Sequence, residues 1–320
     1  MLDFASALYL GMRHPSDSLG RWDALTLGEP AASADPPGAA ALAGQLARLA
    51  GSAAATLLPS TLHLFWDLMA MLGREPVALL VDEACYPIAR WAAEHAAARG
   101  APLQTFAHGA AGMVARLAER WAGAGRRPLI VADGYFPGAD HAPPLRAYAD
   151  IARSRNGYLV LDDTQAFGLL GEHGGGSARC RGIGGAHVVI GASLAKAFGA
   201  PLAVLCASAA MVRRFEAHSE TRSHASPPSV AAIRAGLAAM RCNAERGDVL
   251  RQHLGRLLAH WRQAMTRLAI RVRGGWFPVQ TLALDRQTDG ARLYQCLLDA
   301  GVRTVPQCVR TRATLSFLLT

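Results

Sequence analysis

From about residue 77 the sequence alternates short, continuously apolar runs with longer helical patterns, and this alternation restricts the fold more than any other feature. Val77–Val81, Pro128–Val131, Tyr158–Leu161, Val188–Ile190 and Leu202–Cys206 are too short for helices and apolar at every position, as strands buried on both faces must be. Between them Ile88–Arg99, Gly112–Ala122 and Pro144–Arg153 place apolar residues at helical spacing. Strand–helix–strand repetition predicts an α/β chain, with a mostly parallel sheet covered by helices. Most of these strands run into a polar residue: Asp82, Asp133, Asp162 or Ser193. In open α/β sheets ligands sit outside the carboxyl ends of the strands, so chemistry is expected at that edge.

The flanking segments read differently. Residues 1–35, rich in Pro, Ala and Asp, are expected to form an N-terminal arm, and 36–240 a large domain. After Pro227-Pro228 a long helix over Ser229–Leu268 leads to a small C-terminal domain, 241–320, with strand-like pieces at Ile270–Val272, Val279–Leu284 and Thr314–Leu318.

Composition excludes several classes. No apolar run reaches transmembrane length and the N-terminus has no signal-peptide pattern, so no membrane partner is expected. The six cysteines are widely spaced and form no CxxC pair, which argues against a metal site or disulfide framework and favours a reducing cytoplasm. The net charge of +9 comes from arginines scattered singly and not interleaved with aromatics, so no nucleic acid is expected as a partner.

One residue stands apart. Of 33 Lys+Arg residues, Lys196 is the only lysine. A chain that uses arginine wherever a bare positive charge suffices keeps lysine where arginine fails. Arginine does not lose its proton in a protein, whereas a lysine amine can, and can then attack an aldehyde. Lys196 lies in Gly191-Ala192-Ser193-Leu194-Ala195-Lys196-Ala197-Phe198-Gly199. Upstream, Leu161-Asp162-Asp163-Thr164-Gln165-Ala166-Phe167-Gly168 follows a strand and is trailed by Gly171-Glu172-His173-Gly174-Gly175-Gly176. A carboxylate at a strand end, a polar residue three positions on, and a serine turn ending in lysine suit pyridoxal 5′-phosphate (PLP). The carboxylate keeps the pyridine nitrogen protonated, the polar residue reaches the ring hydroxyl, and the lysine holds the aldehyde.

These two segments resemble the α-oxoamine synthases, exemplified by 8-amino-7-oxononanoate synthase and 2-amino-3-ketobutyrate ligase, within the fold-type I PLP-dependent enzymes. The signature Asp-Asp-Ala-His…Gly-Glu-x-Gly-x-Gly is similar to Asp162–Gln165 and Gly171–Gly176. Thr-x-Ser-Lys-Ala-Phe-Gly is similar to Ser193–Gly199. The resemblance extends to Tyr9-Leu10-Gly11, Val131–Gly134 and Ser226-Pro227-Pro228. It implies a fold-type I PLP-dependent transferase with a smaller C-terminal α+β lobe, and catalytic roles for Lys196, Asp162 and Gln165. Tyr86 would stack on the ring, where the family usually has histidine. Ser60, Thr61 and Ser193 would hold the phosphate at a helix N-terminus. Ser223 or His224 would reach the phosphate of a neighbouring subunit's cofactor, implying a homodimer with shared active sites. Arg312, in Arg312-Ala313-Thr314-Leu315-Ser316, would clamp the substrate carboxylate.

The implied reaction condenses an amino acid with an acyl thioester, on CoA or an acyl carrier protein, to give an α-amino ketone. An aminotransferase, or another PLP reaction on an amino acid, on the same scaffold is the alternative, and a non-catalytic synthase-like subunit the second. Departures from the family pattern keep both open. Gln165 replaces a histidine, Ala195 a serine, Asp133 a glutamate, and Pro137 a common serine; the segment Pro306–Arg312 is short, and the chain reaches Thr320 soon after it.

Overall fold

The structure, a computed structural model, describes residues 1–137, 142–284, 287–309 and 312–320. The first elements are β1 (Leu2–Asp3), α1 (Ala39–Ala50), β2 (Ala54–Leu58), α2 (Thr61–Leu72), β3 (Val77–Asp82), α3 (Pro87–Ala98), β4 (Leu103–Phe106) and α4 (Ala111–Gly123). Next come β5 (Arg127–Asp133), α5 (Leu145–Ser154), β6 (Tyr158–Asp162), α6 (Gly176–Arg181), β7 (Val188–Ser193), β8 (Ala203–Ala207), α7 (Ala209–His218) and α8 (Glu220–His224). The chain continues through α9 (Val230–Arg267), β9 (Val272–Arg273), β10 (Val279–Ala283), α10 (Gln287–Asp299), β11 (Val302–Arg303), β12 (Val305–Val309) and β13 (Arg312–Leu318). Every strand expected from residue 77 to 206 is present within two or three residues of its expected bounds, and the α/β expectation holds.

The chain forms two compact units. The larger comprises His14–Phe136 and Ala142–Glu245 and contains a seven-stranded sheet of order β2-β8-β7-β6-β5-β3-β4. Strands β4, β3, β5, β6 and β7 are mutually parallel; β8 runs antiparallel to both β7 and β2. Strands β3, β5 and β6 are buried along nearly their whole length, which explains their unbroken apolar sequence. Helix α2 packs close to the end of β7. A Cβ at Gly191 would lie 2.8 Å from Phe65 Cζ and 2.9 Å from Leu64 Cδ2, so only glycine permits the helix to approach this near. The smaller unit comprises residues 1–13, the segment that begins at Pro137, and the chain from Arg246 onward. Its sheet has the order β12-β13-β10-β9, while β1 pairs in parallel with β11. Phe4, Trp261 and Phe317 pack together there, with centroids 4.8–5.7 Å apart. Residues 1–13 thus belong with the C-terminal segment, and the rest of the segment read as an arm belongs with the larger unit.

A buried carboxylate ties α2 to α8. Asp67, 2% exposed, accepts hydrogen bonds from the Ser219 hydroxyl, the Thr221 hydroxyl at 2.5 Å and the Thr221 N–H at 3.2 Å. Ser219 in turn caps α8 by accepting from the Arg222 N–H. Replacing Asp67 with alanine leaves these donors without an acceptor in the interior. D67A is expected to destabilise the protein by about 1–3 kcal/mol, and D67N, which keeps one accepting oxygen, by less, as urea unfolding will measure.

Candidate active site

Three strand ends bring four acidic side chains to one edge of the large sheet. Asp82 ends β3, Asp133 ends β5, and Asp162 ends β6, with Asp163 following it. All four are buried, at 1%, 7%, 5% and 0% exposure. Asp133 and Asp162 are register partners in adjacent strands. Each has its own hydrogen bonds. Asp82 bonds the His108 ring through Nδ1 at 2.9 Å, and Asp133 accepts the Tyr86 N–H at 3.0 Å. Asp162 accepts the Thr164 N–H at 3.0 Å, and Asp163 the Ser177 N–H at 2.9 Å. Burial pushes the carboxyls of Asp133 and Asp162 upward, and for Asp133 the neighbouring Asp162 charge adds to the rise. Burial likewise raises Asp163, to about 6.

Lys196 faces this acidic edge. After Ser193 the chain turns tightly: Leu194 N–H donates to Leu202 O at 2.8 Å, and Ala200 N–H to Leu194 O at 3.1 Å. The turn holds Lys196 half-buried and within electrostatic reach of Asp162 and Asp133. Burial lowers its amine below the ordinary value, while the two carboxylates, Asp162 first, oppose that shift. The two sequence segments that carry Asp162 and Lys196 are also joined directly. Ser193 N–H donates to the Thr164 hydroxyl at 3.0 Å, and Asp163 N–H to Gly191 O at 2.8 Å. Thr164 was not singled out in the sequence; its role depends on adjacency of β6 and β7, which has no signature in the motif.

Further along the same edge lies an anion-compatible helix end. Leu58 and Ser193 are both register partners of Ala203, one on each side. At ordinary strand spacing they are about 10 Å apart. Ser60 is the N-cap of α2, with extended backbone, and Thr61 opens the helix. No side chain caps the first turn, because the Ser60 hydroxyl bonds His63 Nδ1 at 2.9 Å instead. Ser193 therefore stands near one end of this row and Asp162 nearer the middle, with Lys196 in the loop just beyond. His63 was not anticipated either; a histidine at helical spacing gives no sequence signal of its own.

The other expected residues are placed as follows. Tyr86 is the N-cap of α3, tied by its N–H to Asp133, and its side chain is 52% exposed. Gln165 is half-buried in the turn after Asp162. Ser223 and His224 are exposed on α8, away from the strand ends just described in sequence and held by the Asp67 anchor. Arg312 opens β13, but its side chain lies outside the described residues.

The donor set fits PLP. Two buried carboxylates side by side face a single amine, so the site favours a further positive group such as a protonated ring nitrogen. The uncapped first turn of α2 and Ser193 suit a phosphate. Among the described residues no group of three or more His, Cys, Asp and Glu side chains is arranged to hold a metal ion.

No family model matches the chain. In sequence it is similar to the 8-amino-7-oxononanoate synthase of Thioalkalivibrio sulfidiphilus, 30% identical over 231 residues, covering 68% of this chain and 57% of that protein. It is also similar to the synthase of Sodalis glossinidius, 32% identical over 205 residues, covering 63% and 51%. The chain thus spans about half the length of the curated relatives it matches. Among solved structures, serine palmitoyltransferase of Sphingomonas wittichii superposes with a TM-score of 0.88 at 15% identity, over 99% of this chain and 82% of that one. The 8-amino-7-oxononanoate synthase of Francisella tularensis superposes with a TM-score of 0.82 at 17% identity, over 100% and 92%. The chain is therefore a relative of the α-oxoamine synthases and has the fold of the fold-type I PLP-dependent transferases.

Proposed function

We propose that this chain is a PLP-dependent acyltransferase that condenses an amino acid with an acyl thioester, on CoA or an acyl carrier protein, and releases an α-amino ketone. The observation that carries the reading is Lys196, the one lysine of the chain, half-buried at the carboxyl edge of the sheet within reach of Asp162 and Asp133. PLP bound there supplies an aldehyde for the lysine amine and a ring that withdraws electrons from the substrate α-carbon.

The residues then divide the work. Asp162 holds a proton on the ring nitrogen, and Asp133 beside it reinforces the negative field. Gln165 donates a hydrogen bond to the ring oxygen but cannot carry a proton at neutral pH. Tyr86 offers an aromatic face. Ser60, Thr61 and Ser193 hold the phosphate, aided by the dipole of α2. Arg312 fixes the substrate carboxylate through its guanidinium. Lys196 moves a proton at the α-carbon through Nζ, a task that needs the amine neutral for part of the cycle. Ser223 and His224 serve the phosphate of a partner subunit in a homodimer; their exposure on an anchored helix supports that reading. The larger unit is the cofactor-binding domain in this scheme, and the wide spacing of the cysteines supports a cytoplasmic setting.

Two experiments test the reading. In the cofactor-free protein, ¹³C-methylation of amines labels Lys196 as the only side chain, giving one NMR titration besides that of the N-terminus. Its midpoint is expected below the ordinary lysine value of 10.5. D162N should lower it further, because the lost carboxylate favours the ammonium form. A midpoint at or above the ordinary value removes the basis for a tuned amine. In the loaded protein, borohydride reduction and peptide mapping should find the cofactor on Lys196. K196A should lose the visible absorbance and about 10²–10⁴-fold of the activity. Thiol release should require both an amino acid and an acyl thioester. Amino transfer to a 2-oxo acid without any thioester would instead identify an aminotransferase.

A further inference from the structure

From Val249 to Leu284 the sequence contains no Asp or Glu, yet it carries six arginines: 251, 256, 262, 267, 271 and 273. Four of these gather at one place in the smaller unit, around the end of α9 and the strand β9 that follows. Arg262, Arg271 and Arg273 line an open groove of about 660 Å³ together with Thr266 and Ile270. Arg267 is exposed one residue after Thr266. None of the four forms an ion pair among the described residues.

Large apolar side chains project from the same short stretch. Leu268 is 64% exposed, Ile270 41% and Trp276 72%. Arg262 lies over the Trp276 ring at 5.8 Å, which places that tryptophan beside the groove. The chain leaves α9 through Ala269 in the left-handed region (φ 54°), and the Gly274-Gly275 turn, with both φ positive, carries Trp276 outward. An unneutralised positive groove and three outward apolar tips are two different signals on one surface. Each alone is weak. Combined, they match what holds a protein at a charged lipid interface, where basic residues attract anionic headgroups and apolar tips enter the acyl boundary. An acidic protein would neutralise the arginines, but these apolar tips protrude singly and would need matching pockets on it.

We propose that this surface docks the protein on an anionic phospholipid bilayer, with phosphate headgroups entering the arginine groove and Leu268, Ile270 and Trp276 reaching into the interface. It is a surface contact and not a span: no helix among the described residues is long and apolar enough to cross a membrane. It also qualifies the expectation of no membrane partner, which rested on span length and on arginines that look scattered along the chain.

The test is cosedimentation of the full chain with vesicles of phosphatidylcholine, alone or mixed with phosphatidylglycerol. Binding is expected to the mixed vesicles only, weakened by added salt. R271E/R273E should reduce it at least about tenfold. W276S should weaken it without changing the circular dichroism spectrum, and should remove any blue shift of tryptophan emission on binding. Should the double variant fold poorly, W276S and the salt dependence still decide. The proposal is overturned by failure to bind mixed vesicles at low salt, by equal binding to phosphatidylcholine alone, or by binding that neither variant alters. Capture of inorganic phosphate or of an acidic protein by the same arginines, without vesicle binding, would overturn it too.

Discussion

Two carboxylates buried in neighbouring strands, with one amine set against them, form the constraint around which the large sheet is organised. Asp133 and Asp162 are register partners at the carboxyl edge, and burial disfavours their charge. Removing ions from water costs several kcal/mol each unless partners compensate. The compensation is assembled from separate pieces of chain: the Tyr86 N–H for Asp133, the Thr164 N–H for Asp162, and the Lys196 ammonium for both. The demand for positive charge is therefore built into the backbone register, and a cationic ring nitrogen would meet it.

The rest of the edge is shaped so that this electrostatic centre lies beside an anion-compatible one. Gly191 admits Leu64 and Phe65 of α2, which brings the uncapped helix start toward the strand end that precedes Lys196. Gly134 plays a comparable part near Asp163, since a Cβ there would meet Asp163 Oδ1 at 1.9 Å. These glycines are conditions of close packing and not ornaments of a motif. The departures from the family pattern fall around this frame. Ala195 removes a hydroxyl from the lysine turn, while His63 brings a ring to the same helix end through its bond with Ser60. Gln165 changes what proton chemistry is available without changing the carboxylate pair.

The arginine bias has two consequences of different kinds. It isolates Lys196 as the one amine side chain, which makes the proposed chemistry unusually easy to address experimentally. It also loads an acid-free stretch of the smaller unit with positive charge, of which Arg262, Arg267, Arg271 and Arg273 form no ion pair among the described residues. The first consequence is visible residue by residue. The second exists only once α9 and β9 bring Arg262, Arg271 and Arg273 to one groove.

The sequence by itself determined the strand–helix alternation, the polar residues at strand ends, and Lys196 as a position where arginine would not serve. Those features are local: continuous apolar runs report burial on both faces, and a lone lysine reports its own chemistry. Strands β2 and β4 escaped notice because each is only partly buried and is interrupted by polar residues, Thr56 in β2 and Gln104 and Thr105 in β4, leaving no unbroken apolar run. Tertiary structure alone decided that β8 runs against its neighbours, which brings Leu58 level with Ser193. It also decided that Thr164 meets Ser193, that Asp67 anchors α8, and that Asp133 stands beside Asp162. Each of these joins residues distant in the chain through strand order, register or helix packing, and a linear pattern of apolar and polar residues carries none of them.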